Sequence, residues 1–174
     1  NTYNTRCSGN SFNSPTNGFE PNWNPDKWDV NKKYNNCFAY ALDDHDGDGV
    51  HRNKKPIPGK QRDHYSCSQI MEGLMQEIPK SYVTSIDCEC EPGYKKIYAA
   101  VSDEIGKNDF HFWRQDRDGS WSFKSGSNDV SNLDASGKRI KNPELSDRNF
   151  PSHNYVNSCG FFCIPTNSKD VDTL

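Results

Sequence analysis

Seven cysteines in a chain of 174 residues cannot all pair with one another, so one thiol must stand apart. The spacing narrows the pairing further. Cys88 and Cys90 are two apart, too close along an extended chain to bridge each other. Cys159 and Cys163, if they share one strand, lie roughly 13 Å apart at ~3.3 Å per residue, beyond disulfide reach. Cys37 is the expected odd thiol, because Asn36 before it reads as a helix N-cap and a helix start favours thiolate. The other six then tie together an N-terminal arm, a second helix, the Cys88–Cys90 loop and a C-terminal strand. A rival zinc site from Cys88, Cys90, His64 and Cys67 lacks the usual spacing of zinc ligands.

A cysteine-rich polar chain suits an oxidising compartment, so secretion is expected. Hydrophobic residues are 32% of the chain and aromatics 12%, which makes a lean, ring-dominated core in a loop-rich single domain. A net charge of -3 argues against nucleic acid as the main partner. No apolar run approaches the roughly 18 residues of a membrane span. The chain begins at Asn1 without a signal-like segment, as a mature or trimmed form would.

Residues 1–35 read as an irregular arm, with Trp23 and Trp28 clamping it to the body. A main domain spans 36–165 and a polar tail 166–174. Within the domain, a first helix runs from Cys37 to Leu42 or Asp43. A second runs from Cys67 to Ile78, capped by Ser66 and ended by Pro79. Strands follow at 95–101, 109–115, 120–124 and 159–164, with Asp116 and Asp118 read as turn formers between the second and third. Helices followed by an antiparallel sheet make an α+β fold.

A Cys/His hydrolase needs a thiolate, an imidazole in hydrogen-bond reach, and a group that orients the ring. Cys37 supplies the first. His111, on the second strand, is the best second. The backbone N–H of Cys37 and an amide from Asn31, Asn35 or Asn36 would form the oxyanion hole. The remaining histidines sit in polar segments and read as surface residues.

The helical cysteine in N-C-F-A-Y-A-L, followed by D-F-H-F-W-R-Q on a strand, resembles the papain-like fold in its small bacterial form. Those proteins are the NlpC/P60 and CHAP-type cysteine peptidases and amidases. The matching pieces fall between residues 36 and 164. The resemblance implies a helix packed on a small antiparallel sheet, a Cys37–His111 catalytic pair, and amide hydrolysis through a thioester. The substrate would be a peptide, a protein or a cell-wall peptide, handled by a monomer with no catalytic cofactor. The chain departs from the pattern at the third residue. The NlpC/P60 pattern often places a His on the next strand, where this chain has Phe123 or Lys124. Asn132 or Asp134 is the expected substitute orienter; otherwise the site is weak or dead.

Asp44, Asp46 and Asp48 with Gly49 match the start of a calcium loop, and the Val50 carbonyl would be its backbone ligand. Lys55 replaces the bidentate Glu that would close the loop. A weak structural Ca2+ site and a solvated acidic turn both remain open. Asn36, Trp113 and Trp121 are expected to contact substrate, with core packing as the equal alternative for the tryptophans. Two other classes compete with the hydrolase: an inactive disulfide-stapled binding module, and a calcium-dependent adhesion or toxin-like protein.

Overall fold

The computed structural model describes residues 6–10, 14–30, 32–45 and 64–166. The elements are α1 (Pro25–Asp29), a 3-10 turn (Lys32–Tyr34), α2 (Cys37–Ala41), α3 (Cys67–Glu77), β1 (Tyr82–Thr84), β2 (Tyr94–Ser102), β3 (Asp109–Gln115), β4 (Trp121–Lys124), β5 (Val130–Ser131) and β6 (Asn157–Pro165). The strands form one six-stranded sheet in the order β1-β6-β2-β3-β4-β5, with every pairing antiparallel. The fold class is α+β, as expected.

Local sequence explains the helices. The Asn36 side chain accepts a hydrogen bond from the Ala39 N–H at 2.9 Å, so Cys37 is the first residue of α2. The helix stops after one turn because Asp43 adopts a left-handed φ of 56°, which a short polar side chain tolerates. Ser66 and Gln69 form a reciprocal capping box at the start of α3. The arm is less irregular than expected, because Pro25 sits at the first position of α1, where its fixed φ suits a helix.

The sheet separates two cores by strand alternation. On one face, Ile97, Ala99 and Val101 of β2 and Phe110 and Phe112 of β3 meet Phe38 and Ala41 of α2 and Ile70 and Leu74 of α3. On the other, Tyr98, Ala100, Trp113, Trp121, Phe123, Tyr155 and Phe161 pack together. The β2–β6 register shifts at Ala99/Ala100, and Gly160, with φ 106°, supplies the backbone that this bulge needs.

Three disulfides staple the body: Cys7–Cys88, Cys67–Cys159 and Cys90–Cys163. They join the arm, α3, the 88–90 loop and β6, and leave Cys37 as the free, buried thiol. His64 and the cysteines of the rival zinc reading therefore do not form a zinc site, since Cys67, Cys88 and Cys90 are all oxidised. No helix among the described residues is long and apolar enough to cross a membrane.

Candidate functional site

Cys37 and His111 line one cavity of about 200 Å³, together with Asn36, Asp109, Ser125 and Tyr155. Its lining takes in the start of β3, at Asp109 and Phe110. β4 pairs with β3 at Arg114–Ser122 and Gln115–Trp121, so among the described residues the β4-side edge of β3 near Asp109–Phe112 has no strand partner. Cys37 approaches from the helix face. His111 lies on the opposite face, two residues from Asp109 and from Trp113, as alternation along β3 requires.

The electrostatics run against a poised ion pair. Burial pushes the Cys37 thiol from 9.0 up to about 12, and the nearby Asp109 carboxylate adds to the rise. Backbone hydrogen bonds from Phe112 and Phe38 pull the other way but do not prevail. His111 is 3% exposed, and burial, with a smaller contribution from His153, lowers its imidazole to about 3. At neutral pH the site holds a thiol and a neutral ring. Among the described residues, His111 Nε2 has no hydrogen-bond partner, and no bond joins His111 to Cys37.

Aromatic rings surround that imidazole. Tyr155 stacks on it at 5.1 Å with 24° between planes. Trp113 and Phe123 meet it edge-on at 4.6 and 5.2 Å. Phe123 thus packs against His111 and offers the ring nothing to accept a proton. Lys124 is also spoken for: its buried ammonium donates to the carbonyls of Lys32, Asn35 and Gly126.

The structure does not bring the substitute orienters to His111. The Asp134 carboxylate accepts from the backbone N–H groups of Ser136 and Lys138 and so closes its own turn. It lines a different, wider cleft of about 930 Å³ with Ser14, Lys138 and Arg139. The backbone carbonyl of Asn132 accepts from Ile140, and neither residue borders the Cys37–His111 cavity. Local turn chemistry claims the Asp134 carboxylate.

Trp113 and Trp121 are fully buried in the second core, and among the described residues neither lines the Cys37–His111 cavity. Asn36 does border the cavity, although its side-chain oxygen caps α2. Of the proposed calcium ligands, Asp46, Asp48 and Val50 lie outside the described residues, as does Asn31. Asp44 ends the α2 turn, its N–H donating to Ala39 O at 2.9 Å. Asp116 is more than a turn former, since it is fully buried against Arg114 at 3.0 Å.

Sequence reasoning missed Asp109 and Tyr155. The Tyr155 hydroxyl donates to Asp109 at 3.0 Å, and His153 stands 3.9 Å from the same carboxylate. Asp109 was legible, being on the same strand face as His111. Tyr155 was not, since it comes from the loop before β6.

No family model and no solved structure matches the chain. Among curated proteins, it is similar to "Insoluble matrix shell protein 1" of Ruditapes philippinarum. The two are 26% identical over 126 residues, covering 71% of this chain and 79% of the relative.

Proposed function

We propose that this chain is a secreted, disulfide-stapled, non-catalytic module of an extracellular matrix or surface, with the Cys37–His111 cavity as a binding element. The observation that carries this reading is that Cys37 and His111 are both buried with no hydrogen bond between them among the described residues. Burial raises the Cys37 thiol to about 12 and lowers the His111 ring to about 3, which disfavours the thiolate and makes the ring a weak base. Phe123 leaves that ring without an orienting partner. The three disulfides and the similarity to a matrix shell protein support secretion and a structural role.

The test is alkylation of the native, unreduced protein by iodoacetamide at pH 6 to 7, followed by mass spectrometry. Cys37 should stay unmodified until denaturant is added. Rapid native labelling of Cys37 would overturn the reading.

A second reading has one specific observation in its favour: the free thiol begins a capped helix and shares a cavity with the histidine. It makes the chain a papain-like cysteine hydrolase of the NlpC/P60 or CHAP type, acting on a peptide, a protein or a cell-wall peptide. His111 would then have to move into contact with the sulfur. Native labelling of Cys37, with peptide cleavage abolished by Cys37→Ala, would establish it.

No bound ion is assigned to the acidic sequence that starts at Asp44. Thermal melts in calcium and in EDTA should coincide, and a calcium-dependent rise would instead assign a structural ion.

A further inference from the structure

Next to the Cys37 cavity, and sharing His111, Ser125 and Tyr155 with it, lies a half-open cleft of about 370 Å³. Its apolar wall is made of Phe123, Phe150 and Tyr155. Phe150 meets Phe123 edge-on at 5.3 Å and Tyr155 at 6.3 Å. His111 forms part of the same wall, with its buried Nε2 unpartnered among the described residues. The mouth carries Asn128, Asp129 and Ser152.

We infer that this cleft takes a pyranose ring of a neutral saccharide chain, a proposal that rests on the binding-module reading above. A pyranose offers an apolar C–H face for aromatic rings and a rim of hydroxyls for short polar side chains. Both halves are present here. An orphaned buried ring nitrogen gains a partner when a hydroxyl reaches it, which removes a desolvation cost. A purely apolar occupant would leave His111 Nε2 unpaired and would strip water from Asn128 and Ser152. An anionic sugar finds no cation in the lining, and the nearby Lys32 is held by Asp129 at 2.7 Å.

The experiment is calorimetric titration of the intact, disulfide-bonded protein with four hexamers. They are cellohexaose, the N-acetylglucosamine hexamer, hexagalacturonate and an alanine-rich peptide. At least one neutral hexasaccharide should bind, while the polyuronate and the peptide should not. Phe150→Ala and Asn128→Ala should each weaken binding roughly tenfold. Asn128 is exposed, so Asn128→Ala should keep the wild-type melting temperature; Phe150 packs on the second core, so Phe150→Ala should lower it modestly while the protein stays folded. Failure of both neutral sugars, indifference to both substitutions, or preference for the polyuronate or the peptide would overturn the inference. Iodoacetamide treatment of the same samples separates the failures. An unlabelled Cys37 with no sugar bound removes only the ligand, whereas a labelled Cys37 removes the binding-module reading as well.

Discussion

At Cys37 two effects compete for one sulfur, and their sizes decide the outcome. A helix start contributes about 0.3–1 kcal/mol toward an anion, and α2 is only five residues long. Lifting the thiol from 9.0 to about 12 corresponds to about 4 kcal/mol against the thiolate. Burial wins. The same force acts with opposite sign on His111, whose charged form is the protonated one. Its ring binds a proton near 6.5 when unfolded and near 3 when folded, so the unfolded chain takes up protons first as pH falls. Stability from this group is complete above pH 6.5 and is lost between 6.5 and 3, by at most about 5 kcal/mol. Asp116, raised by burial to about 6, runs the other way and adds stability as pH falls from 6 toward 3.8. Comparing wild type with His111→Phe isolates the histidine. Urea melts from pH 7 to 3 should show the wild type losing stability relative to the variant; a constant difference would refute the assignment.

At the scale of elements, α3 is held at its N-terminal end both by its own sequence and by a long-range bond. The Ser66–Gln69 box satisfies the first-turn donors, and Ser66→Ala should cost about 1 kcal/mol in urea unfolding. The adjoining Cys67–Cys159 bridge closes a loop with a sequence separation of 92. Cys67→Ala/Cys159→Ala should therefore cost more, about 2–5 kcal/mol in the same measurement, with α3 the first element to lose amide protection on hydrogen exchange. In β3, alternation sends Phe110 and Phe112 to the helices and His111 and Trp113 to the second core. That periodicity also keeps the imidazole off the face that carries Cys37.

Across the whole molecule, Arg114 ties distant parts of the chain together. It is 1% exposed, lies over the Tyr40 ring at 3.9 Å, and bonds to Asp116, Asp43, Tyr40 O and Asn22 O. One side chain thus joins the arm, α2, the turn after it and β3. Arg114→Ala should cost roughly 3–5 kcal/mol, because it strands the Asp116 carboxylate in the interior. Arg114→Met/Asp116→Leu should recover much of that loss in thermal melts, since no buried charge is then left alone. A double variant no more stable than Arg114→Ala would show that the bonds to Asn22 and Tyr40, not the charge pair, carry the cost.

Cysteine parity, the capped start of α2, the Ser66 cap and the alternation of 109–115 were all legible in the sequence. They depend on counting or on neighbours within a turn of chain. So was the hydrocarbon ring near His111, since Phe123 follows from the hairpin spacing. The sequence left the six-cysteine pairing open, because spacing only excludes partners. Folding alone decided that Cys37 and His111 reach their cavity from opposite faces, that Tyr155 stacks between His111 and His153, and that Arg114, Asp116 and Lys124 are interior. The physical reason is range. Caps and periods act over a few residues, whereas desolvation is set by everything packed around a group, much of it far away in sequence.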